Sequence, residues 1–284
     1  MTSFDSFVVI DWAAGNDTGP KPRKDAIWAA GQIDGSETEA VYFRNRVIAE
    51  EWLVRLISRE IVAGRRLLLG FDFPFGYPRG FADAVLGRGP TTGLFDFFDD
   101  QLTDTPQSND RFALAGRLNM RFPGVGPFWF NGTRSDIPHL PRRKSERTTD
   151  HGQIERRRCE ALAKGTFTCW QMGGAGAVGG QVMTGMAFLA RIRRRFPGQV
   201  AVWPFESETT PVLAVEVWPS LIADVVRQSG DVIKDRAQVR YLSRALGALP
   251  VERLSQMLAI DEPVEGWILG LGHEEELSRA ACQT

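Results

Sequence analysis

Three carboxylates in apolar segments are the residues of this sequence best suited to chemistry. Asp11 and Asp72 each end a short apolar segment, and Glu216 lies inside a third. Carboxylate oxygens bind hard cations such as Mg²⁺ and Mn²⁺, and clustered carboxylates repel one another when no cation is present. The pattern predicts a catalytic site with one or two such ions, at which an activated water attacks a phosphate ester. The alternative is that these acids simply terminate their strands.

Further charged residues could belong to the same site. Glu206 ends another apolar segment and is an additional candidate metal ligand. Basic residues that could bind phosphate lie in an arginine-rich part of the chain and near the start of a predicted helix: Arg142, Arg143, Lys144, Lys234 and Arg240. Arginine suits phosphate because its planar guanidinium donates paired hydrogen bonds. A solvated face is the alternative interpretation of such charge runs.

The elements that must position the first two acids follow the order β-β-β-α-β. Short apolar runs separated by turn residues predict strands at 6–12, 25–33 and 38–44. Apolar residues at helical spacing predict a helix at 49–62. The run 67–72 is almost continuously apolar, which is typical of a central strand covered on both faces.

This order limits the possible topologies. If the first and fourth predicted strands are parallel neighbours, Asp11 and Asp72 emerge together at their carboxyl ends, where sites concentrate in open α/β sheets. The last third of the chain returns to alternating structure. There the pattern predicts strands at 200–206 and 212–219 and helices at about 220–228, 234–247, 251–260 and 274–282.

Residues 79–165 are rich in proline, glycine and aromatic residues, and we expect a long, largely irregular insertion within a single domain spanning 1–284. The insertion is basic, since residues 111–164 contain 12 Lys or Arg and 5 Asp or Glu, whereas the whole chain has a net charge of −1. A basic lid over the acids would position an anionic substrate. The competing interpretation is again a solvated surface.

Composition argues against several other classes of protein. The three cysteines form no CxxC pair and the three histidines are scattered, so neither a disulfide framework nor a zinc site is expected, and a reducing cytoplasm fits best. The first residues carry no basic segment ahead of the apolar ones, so we expect no cleaved export signal. Residues 165–190 are uncharged but too rich in glycine and polar residues for membrane insertion.

A glycine-rich segment, Gly174-Ala-Gly176-Ala-Val-Gly179, matches the dinucleotide-binding fingerprint GxGxxG. The residues before it are too polar for the buried first strand of a dinucleotide-binding unit. Close packing of the backbone is the favoured interpretation. A loop that holds phosphate through its amides is the alternative.

Four short motifs resemble the DUF429 group of predicted RNase H-like nucleases. They are Val8-Val-Ile-Asp11-Trp-Ala, Gly70-Phe-Asp72-Phe-Pro-Phe-Gly-Tyr-Pro78, Val202-Trp-Pro-Phe-Glu206 and Val215-Glu216-Val-Trp-Pro219. The resemblance implies an RNase H-like core with Asp11, Asp72 and Glu216 as its acid cluster. Such a core usually takes another acid from its last helix, and Asp261, Glu262 and Glu265 are the candidates considered.

The sequence therefore predicts an α/β protein with an RNase H-like core, a mixed central sheet and a basic insertion. The predicted function is a Mg²⁺- or Mn²⁺-dependent hydrolase of phosphodiesters or phosphate esters, of the nuclease type. The alternative is a non-catalytic module that binds a nucleotide or nucleic acid through the arginine-rich insertion. Phosphate-dominated binding would weaken steeply with salt, whereas hydrolysis would be lost when the metal is chelated.

Overall fold

A computed structural model describes residues 3–21 and 26–283 of the chain. The chain divides into two compact units. The first comprises Met1–Phe73, Ile192–Asp261 and Trp267–Thr284, and the second comprises Pro74–Arg191 and Glu262–Gly266. The predicted insertion at 79–165 falls within the second unit, which extends beyond it at both ends.

The first unit contains a mixed sheet, formed in the described residues by seven strands. They are β1 (Ser6–Asp11), β2 (Ile27–Ile33), β3 (Ser36–Glu37), β4 (Val41–Phe43), β5 (Leu67–Phe71), β6 (Val200–Val202) and β7 (Val212–Glu216). Their order is β3-β2-β1-β5-β7-β6, and β4 also pairs with β2. β2 is antiparallel to β1. β1 pairs in parallel with β5, β5 with β7, and β7 with β6. The predicted parallel pairing of the strands that precede Asp11 and Asp72 is confirmed; residue 25 of the predicted second strand lies outside the described residues.

β5 is the central strand, and all five of its residues are buried. Gly70 in this strand leaves room for the side chain of Val217, because a Cβ added at Gly70 would lie 2.9 Å from Cγ1 of Val217. The continuously apolar run is therefore explained by cover on both faces of the strand.

Helices cover both faces of this sheet. Those of the first unit are α1 (Arg46–Val62), α7 (Ala223–Gln228), α8 (Lys234–Ala248), α9 (Val251–Leu258) and α10 (Glu274–Ala281). The ring of Trp52 on α1 lies 5.3 Å from that of Phe43, whereas Gly247 on α8 lies against Phe7 and Gln32. Side-chain alternation puts Phe43 on one face and Phe7 on the other, so α1 and α8 pack on opposite faces. No helix within the described residues is long and apolar enough to cross a membrane.

The second unit combines short helices, which the sequence does not predict, with long irregular segments. It contains α2 (Phe81–Leu86), α3 (Gly93–Gln101), α4 (Arg111–Asn119), α5 (Arg158–Leu162) and most of α6 (Gly179–Arg195). The expectation of a largely irregular insertion nevertheless holds, because its four α-helices cover only 29 of the residues 79–165. The four helices inside it have only five to nine residues, too few turns for a clear helical period among the prolines and glycines.

Aromatic side chains form the core of this second unit. The ring of Tyr77 lies 4.2 Å from Phe81, 5.2 Å from Trp170 and 5.9 Å from Phe128, measured between centroids. Such ring pairs stabilise a fold beyond the area they bury. The aromatic residues between the prolines therefore act mainly as packing.

Glu60 on α1 provides a test of how this helix is attached to the sheet. Its fully buried carboxylate accepts hydrogen bonds from the Ser6 hydroxyl at 2.7 Å and from Nε of Arg65 at 2.8 Å. The Arg65 hydrogen bond is the main reason that the pKa of Glu60 falls from 4.5 to about 2. A pKa lowered by folding stabilises the protein above the ordinary pKa, and this contribution is lost as the pH falls toward 2.

Replacing Glu60 with Gln should therefore reduce the free energy of unfolding by about 3 kcal/mol at pH 7, from the size of the pKa shift. Urea unfolding of wild type and variant between pH 7 and pH 2 would measure the difference. The difference in unfolding free energy between wild type and Glu60→Gln should become smaller as the pH falls below about 4.5, the ordinary pKa of a glutamate side chain. A difference in unfolding free energy that stays constant at every pH would contradict the stabilising role of the ionised Glu60 side chain.

Candidate acid site at the carboxyl ends of the central strands

Asp11 and Asp72 lie side by side at the carboxyl ends of two adjacent parallel strands. Ile10 pairs with Phe71, and the backbone amide of Asp72 donates a hydrogen bond to the carbonyl oxygen of Ile10 at 3.0 Å. Because side chains alternate along a strand, the next positions on both strands project from the same face of the sheet. The structure thus places the backbones of these two predicted residues next to each other, whereas the charges that shift the pKa of Asp72 are those of Glu216, Asp235 and Lys234.

The first turn of α8 supplies further charge at this end of the sheet. α8 packs against β1 and β2 on the face shared by Phe7 and Asp11, with its last turn near Phe7. The helix therefore runs back along β1, and its first residues, Lys234 and Asp235, lie toward the carboxyl ends of the strands. The charges of both residues act on Asp72.

Asp72 is the most perturbed acid of this group. It is partly exposed, and its pKa is raised from 3.8 to about 7. Burial of its carboxyl group is the main cause, the negative charges of Glu216 and Asp235 add to it, and the positive charge of Lys234 opposes it. The ionised form of Asp72 is therefore crowded by like charge, which an opposite charge would relieve.

Glu216 occupies a different position from the one that the motif suggests. It is buried, with 3% of its surface exposed, and it pairs with Phe71 rather than with Asp72. Alternation places it on the face of Phe71 and Trp12, whose rings lie 6.1 Å apart. Its charge contributes more to the raised pKa of Asp72 than that of Asp235, although the strand register assigns the Glu216 side chain to the face opposite that of Asp11.

Glu206 lies beyond the edge strand β6, which β7 separates from β5. Its carboxylate forms an ion pair with Arg193 and accepts a hydrogen bond from the amide of Val202 at 2.9 Å. These contacts give it a local structural role in the turn that follows β6.

Asp235 is the acid that α8 brings to the face of Asp11 and Asp72, and sequence reasoning missed it. The available signal was an acid in the first turn of the helix that follows the Glu216 strand.

By contrast, Glu262 and Glu265 belong to the second unit. Arg158 binds both, through its guanidinium at 2.8 Å and its backbone amide at 2.7 Å.

Two of the three predicted phosphate-binding residues of the second unit, Arg142 and Lys144, already have protein partners. Arg142 donates to Asp136 at 2.8 Å and to the carbonyl oxygen of Thr133 at 2.9 Å, and so fixes its own loop. Lys144 forms an ion pair with Glu155 at 3.0 Å. Arg143 has an exposed side chain.

The two basic residues predicted on α8 differ from each other. Arg240 lies 3.5 Å from a carboxylate oxygen of Glu37 on the surface. Lys234 is exposed in the first turn, where its charge lowers the pKa of Asp72. Of these two, Lys234 is the residue that the structure associates with the acids.

The glycines of the GxGxxG segment have a packing role. The ring of Phe130 covers Gly174, where an added Cβ would lie 3.0 Å from the ring. Gly179 approaches the backbone so closely that a Cβ would lie 2.6 Å from the carbonyl oxygen of Cys169. Gly174 and Gly176 also adopt positive φ, which glycine tolerates best. These contacts support the packing interpretation of the motif.

The donor set at Asp11 and Asp72 suits a hard cation. The described residues contain no group of three or more His, Cys, Asp or Glu side chains placed to hold a metal ion. Mg²⁺ is often held by only one or two carboxylates, with water completing its octahedral shell. An oxygen-only pair with crowded negative charge is compatible with that mode of binding.

Comparisons of the chain with protein-family models, curated proteins and solved structures gave no match. A fold by itself does not define an activity. The chemistry of this site therefore has to follow from its own residues.

Proposed function

We propose that this protein is a divalent-metal-dependent hydrolase of phosphodiesters or phosphate esters, built on an RNase H-like core. The observation that carries the proposal is the position of Asp11 and Asp72, which directly follow the paired residues Ile10 and Phe71 at the carboxyl ends of adjacent central strands. Asp235 and Lys234, at the start of α8, add charge to the same face.

The sheet topology supports the choice of core. The first strand lies between an antiparallel neighbour, β2, and a parallel neighbour, β5, which follows a helix. This is the arrangement expected from the β-β-β-α-β order and from the resemblance to the DUF429 group. Open sheets with parallel central strands place their sites at the carboxyl ends of those strands.

In the proposed mechanism, Asp11 and Asp72 hold the ion. An ion held there would supply polarisation of a phosphoryl oxygen and a lowered pKa for a coordinated water. Lys234 and the amides at the start of α8 favour an anionic substrate at this end of the sheet. Asp72 has to be ionised to bind a cation, so its raised pKa makes metal binding weaken below about pH 7.

The contacts of the second unit give less support to a purely phosphate-binding module. Arg142 and Lys144 bind carboxylates of their own unit. Their charge is therefore partly neutralised before any nucleic acid or nucleotide binds.

Hydrolysis of bis(p-nitrophenyl) phosphate and of a fluorescent single-stranded oligonucleotide would test the proposal, with Mg²⁺ or Mn²⁺ and then with excess EDTA. We expect turnover that requires the ion, and loss of calorimetric Mn²⁺ binding in Asp11→Asn. Asp136→Asn is the matched control, since that side chain is 96% exposed on the second unit. Turnover that survives EDTA, or equal Mn²⁺ titrations of wild type and Asp11→Asn, would overturn the proposal.

A further inference from the structure

Arg46, the first residue of α1, is a buried arginine that holds the loop after β1, residues 12–17, called the β1 loop below. Only 2% of its surface is exposed. Nη1 donates to the carbonyl oxygens of Ala13 at 2.8 Å and Gly15 at 2.9 Å, and Nη2 donates to Oδ1 of Asn16 at 2.7 Å. One guanidinium therefore fixes three residues of this loop.

The position of Arg46 does not serve the helix that it begins. The helix is capped by Asn45, whose side chain accepts a hydrogen bond from the amide of Ile48 at 3.1 Å. A positive charge in the first turn is unfavourable, because the helix dipole has its positive end there. Burial of a guanidinium is also costly unless its donors are satisfied. A residue that breaks such local preferences is expected to have its role in a functional part of the tertiary structure, and the contacts of Arg46 place that role in the β1 loop.

The junction between β4 and α1 also holds the far end of the β1 loop. The backbone amide of Asp17 donates to the carbonyl oxygen of Arg44 at 2.8 Å. The buried carboxylate of Asp17 accepts hydrogen bonds from the Tyr42 hydroxyl and from the amide of Gly19 at 3.0 Å. The loop is therefore attached along its whole length to the segment that precedes and begins α1.

The β1 loop begins directly after Asp11, so its position constrains where that carboxylate lies. Trp12, the first residue of the loop, is fully buried, and its ring lies 6.1 Å from that of Phe71. Arg46 holds the next residue, Ala13. Asp11 thus lies between a paired strand on one side and two fixed residues on the other. A metal ligand needs this kind of support, because it has to be held to within about 0.5 Å of its productive position.

We propose that Arg46 is a positioning residue, which holds the β1 loop so that the carboxylate of Asp11 is preorganised to bind the divalent ion. This inference rests on the proposed function. Arg46 acts through the loop, because a positively charged guanidinium has no lone pair to offer a metal ion. Its loss should raise the dissociation constant for Mn²⁺ by about 10-fold, the lower end of the effect of residues that orient metal ligands.

Calorimetric titration of Arg46→Met with Mn²⁺ would test this, together with urea unfolding to establish that the variant is folded. Arg66→Met is the matched control. Arg66 also donates to backbone carbonyl oxygens, of Ser3 at 2.9 Å and of Thr210 at 3.2 Å, but it precedes β5 at the amino end of the sheet. Both variants should be less stable than wild type, because both lose backbone hydrogen bonds. Only Arg46→Met should bind Mn²⁺ more weakly.

Arg46→Lys decides the question if Arg46→Met does not fold. Lysine keeps the positive charge and can donate to one of the carbonyl oxygens, but its compact ammonium cannot span three acceptors as the planar guanidinium does. We expect Arg46→Lys to bind Mn²⁺ about 3-fold more weakly than wild type, between no effect and the full loss. Arg66→Lys should bind Mn²⁺ as wild type does.

The outcomes separate this inference from the proposed function. Metal-dependent turnover by wild type, with unchanged Mn²⁺ binding in the Arg46 variants, would refute the role of Arg46 and leave the hydrolase standing. Equal weakening in the Arg46 and Arg66 variants would also refute it, since the cause would then be a general loss of stability. Mn²⁺ binding that depends on Arg46, without turnover, would support the positioning role and refute the hydrolase. A wild type that neither binds Mn²⁺ nor turns over would refute both.

Discussion

Replacing Asp72 with asparagine should make the protein more stable while removing its metal-dependent activity. Folding raises the pKa of Asp72 from 3.8 to about 7, chiefly through burial and then through the charges of Glu216 and Asp235. An acid whose pKa is raised by folding destabilises the folded state once it ionises, so the cost begins near pH 4 and is complete above pH 7. Asparagine has nearly the same shape and carries no charge.

We expect the free energy of unfolding of Asp72→Asn to exceed that of wild type by about 2–4 kcal/mol at pH 8, from the size of the shift and the partial exposure of the residue. The difference should vanish at about pH 4 and below, where the wild-type carboxyl is neutral as well. Urea unfolding in EDTA at pH 4, 6 and 8 would measure it. Asp261→Asn, at an exposed acid of the same unit, should change stability by less than about 0.5 kcal/mol.

The same variant should lose activity. Residues that hydrogen-bond to metal ligands typically contribute 10- to 100-fold to metal affinity or activity, so loss of a ligand itself should reduce turnover by at least about 100-fold. Mg²⁺ should also stabilise wild type but not Asp72→Asn, because only a protein that binds the ion gains from it. An Asp72→Asn protein that is less stable at pH 8 would contradict the destabilising effect of like charge at this residue, and one that keeps full turnover would contradict its role as a metal ligand.

The second large effect is expected in the buried ion pair of the second unit. Nε of Arg157 donates to Glu160 at 2.8 Å, and both side chains are almost completely buried. Nη1 of Arg157 also donates to the carbonyl oxygen of Glu265 at 3.1 Å, which ties the segment Glu262–Gly266 to this unit. Removing one partner leaves a buried charge uncompensated.

Glu160→Leu should therefore lower the free energy of unfolding by about 3–5 kcal/mol. The double variant Arg157→Met/Glu160→Leu should recover most of that loss, because replacing a whole buried pair with apolar residues is often close to neutral. Asp136→Asn, which breaks the exposed pair with Arg142, should change stability by less than about 1 kcal/mol. If the double variant were as unstable as Glu160→Leu, the loss would come from packing rather than from the buried charge.

Several features of the site follow from the sequence alone. The continuously apolar run before Asp72 predicts a central strand, and the β-β-β-α-β order predicts that this strand lies beside the one that ends at Asp11. Both predictions are confirmed. A continuously apolar strand is typical of one covered on both faces, and a short crossover through α1 favours parallel pairing of β1 with β5. The helices that follow Glu216 are likewise predicted by the spacing of their apolar residues.

Only the tertiary structure decides which side chains share a face at the ends of these strands. Glu216 pairs with Phe71, and a difference of one residue in register moves a side chain to the other face of a sheet. Asp235 acts on Asp72 because α8 packs back along β1, a long-range contact that the local sequence of α8 does not encode. Residue types and periodicity thus determined the strands and their acids, whereas register and helix packing determined which of those acids act together.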